Sequence, residues 1–172
     1  MKKLLLPALL SVLLAACSST GTDATGSAAV EDRSSTGVAT VTAPGTAGAG
    51  MAALTDPNSI LSKRSVYFDF DSFVIKPEAK SLIEAHARFL VQNPQMKMLI
   101  QGNTDERGSR EYNLALGQKR ADVVKQALML LGATEAQIES VSLGEEKPRC
   151  DDASENCFAE NRRGDMLYSG EF

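Results

Sequence analysis

The sequence predicts an α/β domain of the α+β sandwich type, with helices packed on one face of a mixed four-stranded sheet. Three observations carry that expectation. Apolar and polar residues alternate across 65–70, the period of a half-buried strand. The segments 79–90 and 114–131 repeat their apolar residues at steps of three and four, the period of an amphipathic helix. The C-terminal strands then follow without a long crossover, which indicates one layer of helices on one face of a mixed sheet. A length of 172 residues fits one such domain with extra segments rather than two domains.

In chain order, Val66, Phe68 and Phe70 alternate with Ser65, Tyr67 and Asp69 to give the first strand. Pro77 suits a first helical position, and Ala79, Leu82, Ile83, His86, Phe89 and Leu90 form an apolar stripe that ends at Asn93-Pro94. Met96 to Gln101 is a short apolar strand that empties into the polar segment Gly102 to Gly108. A long helix follows, with Leu114, Gly117, Ala121, Val124, Leu128 and Leu131 on its inner face and Gly132 as its C-terminal cap. Thr134 with Gln137 carries the capping-box signature of a short helix. Val141 and Leu143 suggest a third strand, and Met166 to Tyr168 a fourth. The order is β-α-β-α-(α)-β-(α)-β, without internal repeats.

The N-terminus reads as an address. Met1-Lys2-Lys3 is basic, and Leu4 to Ala16 is apolar but shorter than the ~20 residues needed to cross a bilayer, and it contains Pro7. Residues 1–16 are therefore expected to be a signal peptide. Leu14-Ala15-Ala16-Cys17 resembles the bacterial lipobox, which implies a diacylglycerol on Cys17, and Ser18 favours sorting to the outer membrane. From Ser18 to Ala53 the chain is dominated by Ala, Gly, Ser, Thr and Pro without aromatic residues, so a flexible tether is expected over 17–59, spanning roughly 35 Å, ahead of a domain at 60–172.

Charge and residue counts narrow the chemistry. Eighteen Lys and Arg against 22 Asp and Glu give a net charge of −4, the wrong sign for a nucleic-acid binder. A single histidine, His86, sits on an apolar helix face and reads as structural; zinc hydrolases and Ser-His-Asp or Cys-His enzymes need more. No enzyme and no metal are expected. Asp151, Asp152 and Glu155 lack the ligand pattern of a calcium loop and read as a solvated turn. The informative region is the turn from the second strand into the long helix, because α/β units bind ligands beyond the carboxyl ends of strands. Asp105 lies there, as a cap or as a binding group. Asn113, Gly117 and Arg120 share one helix face, where Gly117 removes bulk and leaves room for a slot, unless Arg120 is a solvated helix charge.

Asn103-Thr104-Asp105-Glu106-Arg107-Gly108, the run Glu111 to Val124, and Asn161-Arg162-Arg163 closely resemble the OmpA-like peptidoglycan-binding domain family. With Val66-Tyr67-Phe68-Asp69-Phe70-Asp71, Gly144-Glu145-Glu146-Lys147-Pro148 and the lipobox, the resemblance is to the form carried by lipoproteins of the Tol-Pal system. It implies a non-enzymatic link between outer membrane and cell wall, with the domain in the periplasm. TolB and other Tol proteins would be partners, and the roles would be envelope integrity and outer-membrane invagination at division. The implied ligand is the diaminopimelate of the peptide stem. Asp105 would accept its ammonium, Arg120 would grip its carboxylate and Asn113 would orient both. Phe70, Asp71, Thr104, Arg107, Gly108 and Leu116 would line the rest of the site. Arg162 and Arg163 match the family's terminal motif, as contacts or as braces. Another envelope machine, or a peptidoglycan hydrolase, are the rival readings.

The chain departs from many such relatives in carrying Cys150 and Cys157 between Lys147-Pro148 and Asn161. They are expected to pair in an oxidising compartment, closing a loop worth about 2.5 kcal/mol in chain entropy. With Cys17 lipidated, the odd total of three cysteines would leave no free thiol.

Overall fold

The computed structural model describes residues 47–172. The expected signal peptide, the expected lipidation site Cys17 and the expected tether up to residue 46 lie outside the described residues. Four helices, α1 (Ala47–Thr55), α2 (Lys80–Gln92), α3 (Arg110–Leu130) and α4 (Glu155–Asn161), accompany four strands, β1 (Ser65–Tyr67), β2 (Met98–Asn103), β3 (Ile138–Gly144) and β4 (Arg163–Tyr168). The sheet order is β1-β4-β2-β3, with β2 and β3 parallel and β4 antiparallel to both β1 and β2. This is the mixed sheet expected from the element order. Beyond the expectation, α1 occupies the end of the segment read as tether, and Leu54 is buried in the core. One leucine among small residues gives no periodicity, so nothing in the pattern marked it.

Strand alternation puts Val66, Met98, Ile100, Met166, Tyr168 and Ile138 into one core with Leu82, Ile83, Ala87 and Leu90 of α2 and Ala121, Val124 and Leu128 of α3. His86 is fully buried there. Its Nε2 lies 2.8 Å from the Lys63 carbonyl and its Nδ1 2.8 Å from the Tyr168 hydroxyl, so it is structural, as read. Pro77–Ala79 form a 3₁₀ turn leading into α2, and Gly132, at φ 104°, ends α3 in the left-handed conformation that favours glycine. Gln137 Oε1 accepts from the Thr134 N–H at 3.2 Å, while its Nε2 donates to the carbonyls of Leu90, Asn93 and Met96, tying the end of α2 to β3.

Two boundaries move. The first strand stops at Tyr67 instead of running through Phe70; Phe70 is exposed, and Asp71 after it takes φ 52°, in the left-handed region. The second strand runs from 98 to 103 rather than 96 to 101. The inner face of α3 also differs. Leu114 and Leu131, read as core, are exposed, whereas Asn113, Leu116, Gly117 and Arg120 point inward beside Ala121, Val124 and Leu128.

Candidate functional site

The first half of α3 lies against the carboxyl end of β2 at a distance that only glycine allows. A Cβ on Gly102 would stand 1.8 Å from the Gly117 carbonyl oxygen, and one on Gly117 would stand 2.3 Å from Ser142 Oγ. Gly117 therefore serves helix-to-strand contact and does not open a slot between Asn113 and Arg120. The contact brings the helix N-terminus, capped by Ser109 Oγ on the Tyr112 N–H, beside the loop that leaves β2. The loop after β1 and the end of α4 close the remaining sides.

These segments enclose a cleft of about 360 Å³. Its lining includes Phe70, Asp71, Thr104, Asp105 and Arg107 on the loop side, and Gly108, Asn113, Leu116 and Arg120 on the helix side. All nine residues read as site residues thus meet in one place. Gly108, at φ 113°, makes the tight turn at the rim. Tyr112 and Arg162 also line the cleft. Arg163 does not; it pairs with Asp165 at 2.8 Å and donates to the carbonyls of Lys147 and Asn161, bracing the sheet.

Asp105 is buried and serves as the hub of the cationic side. Its Oδ2 accepts from Arg107 at 2.6 Å and from Arg162 at 3.1 Å, while Oδ1 holds only the Arg107 backbone N–H at 3.2 Å. Burial pushes its carboxyl up, but the hydrogen bonds from the two arginines outweigh that and hold it below the usual carboxylate range. The Arg107 guanidinium carbon also lies 4.1 Å from the Phe70 ring centroid and 4.5 Å from that of Phe158. At the rim the Tyr112 hydroxyl donates to Asp71.

Arg120 is fully buried, against the alternative of a solvated helix charge. Nε donates to the Ser72 carbonyl at 2.8 Å, Nη1 to that of Asn103 at 2.8 Å, and Nη2 to that of Asp69 at 3.1 Å. Desolvation pulls its pKa down to about 10, so it stays charged at neutral pH. Among the described residues no carboxylate lies within ion-pair distance of it. Asn113 Nδ2 donates to the Asp105 carbonyl and to Glu145, linking helix and loop.

A model of the OmpA family matches residues 67–162. A peptidoglycan-associated lipoprotein of Pseudomonas putida is 39% identical over 92% of this chain and 92% of its own length. The chain belongs to the OmpA family, among the peptidoglycan-associated lipoproteins. The crystal structure of the peptidoglycan-associated lipoprotein of Burkholderia pseudomallei is 56% identical, covers 68% of this chain and 99% of its own, and superposes with a TM-score of 0.67. The C-terminal domain of Helicobacter pylori MotB, 22% identical with a TM-score of 0.57 over 62% of this chain and 84% of its own, shares the fold.

Within this OmpA-family domain, Glu155 and Phe158 escaped the sequence reading. Glu155 was grouped with Asp151 and Asp152 as solvated; in the structure it pairs with Arg162 at 2.8 Å and Arg107 at 3.3 Å. Its position in the first turn after Ser154, a helix cap, was the available signal. Cys150 and Cys157 form the expected disulfide, with Cα atoms 5.4 Å apart.

Proposed function

We propose that the cleft binds the diaminopimelate of peptidoglycan stem peptides without cleaving them. In this reading a lipid on Cys17 holds the chain to the outer membrane, and the domain joins that membrane to the wall as part of the Tol-Pal system. The observation that carries it is Arg120. A buried guanidinium has five N–H donors, and three go to backbone carbonyls, so one N–H on each Nη remains for a carboxylate. The ligand's side chain ends in both a carboxylate and an ammonium. Asp105 Oδ1, holding a single backbone N–H, is the atom for the ammonium, while Oδ2 is already shared by Arg107 and Arg162. Arg107 and Arg162 thereby fix the orientation of Asp105, and Leu116 with Phe70 supplies apolar wall for the ligand's methylenes. The relatives' shared name supports the wall as target. In this reading TolB is the protein partner, in the envelope and at division.

Cosedimentation with purified sacculi tests the site. Asp105→Ala and Arg120→Ala should each weaken binding by about 2 kcal/mol, roughly 30-fold, the cost of leaving a charged ligand group unpaired. Binding unchanged in a folded Asp105→Ala chain overturns the reading. Release of soluble muropeptides from the sacculi would overturn its non-enzymatic part, and absence of TolB from envelope pull-downs its Tol-Pal part.

A further inference from the structure

The cationic side of the cleft rests on a short element for which ligand binding alone gives no role. Helix α4 carries Glu155, whose two carboxylate oxygens reach Arg162 at 2.8 Å and Arg107 at 3.3 Å. It also carries Phe158, whose ring lies 4.5 Å from the Arg107 guanidinium carbon. Both arginines converge on Asp105 Oδ2. A helix of seven residues does not hold itself in water. This one is pinned in its first turn by Ser154 Oγ on the Cys157 N–H and by the Cys150–Cys157 disulfide. At its end, Asn161 Oδ1 accepts from the Arg149 and Cys150 N–H groups, and Asn161 Nδ2 donates to the Cys150 carbonyl.

We propose that Glu155 and Phe158 are positioning residues of the cleft, and that the Cys150–Cys157 disulfide, by fixing α4, sets how firmly Arg107 and Arg162 hold Asp105 and so how tightly the cleft binds its zwitterionic ligand. The identity of that ligand rests on the peptidoglycan reading above. Thiol–disulfide exchange with an external dithiol passes two electrons and two protons to the bond, leaving two thiols on the chain and a disulfide on the donor. The Asn161 bonds persist, so the end of α4 stays attached to the loop while its first turn, which carries Glu155, gains freedom. Glu155 and Phe158 then hold the arginines less well, and the pre-organised orientation of Asp105 is lost.

The test compares oxidised chain, chain reduced with dithiothreitol, and the double variant Cys150→Ser with Cys157→Ser, each checked for fold by circular dichroism. Affinity for sacculi should drop about tenfold on reduction and in the double variant. Glu155→Gln and Phe158→Leu should lower affinity in the oxidised chain, Phe158→Trp should restore it, and reduction of the Glu155→Gln chain should cost less than reduction of the wild type. The titration midpoint of the Asp105 carboxyl, followed by carbon NMR without ligand, should rise on reduction, a change that loop loosening elsewhere would not produce. Equal affinity and an unmoved midpoint overturn the inference. Oxidised wild type that fails to bind sacculi overturns the peptidoglycan reading instead, and the ligand-free midpoint still decides whether the disulfide positions the arginines.

Discussion

His86 makes the acid stability of this domain a clean measurement, because it is the chain's single histidine. The Lys63 carbonyl can only accept, so Nε2 carries the ring proton and Nδ1 accepts from the Tyr168 hydroxyl. A second proton would face that hydroxyl inside the core. Desolvation is the main cause that brings the ring down from 6.5 to about 4, with Arg64 adding to it and the Lys63 bond and Glu171 opposing. Between those values the unfolded chain binds a proton that the native one refuses. Stability is therefore full above pH 6.5 and declines as the pH falls toward 4, by about 3 kcal/mol in total and about 2 kcal/mol at pH 5. For a domain of this size, 2 kcal/mol lowers the Tm by roughly 6–10 °C. Calorimetry at pH 7.5 and pH 5.0 should show that drop in the wild type and a much smaller one in His86→Gln, whatever its starting Tm. Proton NMR should show ring resonances that do not titrate above pH 5. Equal drops in both chains, or a wild-type Tm that does not fall, would refute the assignment of a buried neutral imidazole.

Gly102→Ala would place a Cβ 1.8 Å from a backbone oxygen that cannot swing aside, so α3 must back away from β2. Urea unfolding should show a loss of about 3 kcal/mol or more, the upper end of overpacking, and sacculus binding should fall as Asn113 and Arg120 shift with the helix. Gln137→Met keeps the volume but removes the donor shared by three carbonyls, so unfolding should cost about 2–3 kcal/mol less than in the wild type while binding to sacculi stays unchanged.

The parts of the fold legible in the sequence are those where local chemistry and tertiary environment agree. The stripe from Leu82 to Leu90 buries what its periodicity says it buries, and Gly132 ends α3 where a left-handed residue is needed. Periodicity alone did not mark Phe70 as a rim residue, because alternation continues through it while the strand ends at Tyr67; only the family resemblance put it at the cleft, where it is exposed. Glu155 was not legible by charge pattern because Arg107 comes from the loop after β2 and Arg162 lies at the far end of α4, beyond the three- and four-residue spacings of helix pairs. The cleft residues were recoverable from the loop and helix motifs, but their connections were not: that Asp105 is already shared by two arginines is a fact of packing.

Helix α3 shows why apolar pattern fails where a site begins. Its inner face changes character along its length, with Ala121, Val124 and Leu128 in the core and Asn113, Leu116, Gly117 and Arg120 over the end of the sheet. A reader of apolar periodicity extends the core stripe to Leu114, the nearest apolar residue in phase, and so turns the first half of the helix away from its true orientation. Burying Asn113 and Arg120 is costly unless every donor has a partner. Apart from the Glu145 carboxylate on Asn113, the partners are backbone carbonyls of Asp69, Ser72, Asn103 and Asp105, which carry no side-chain signature at all. A charged residue buried against carbonyls, with no carboxylate beside it, is a poor solution for stability alone. Under the proposed function it holds a fixed cation ready for an anionic group, and that role accounts for the break in the pattern at Arg120.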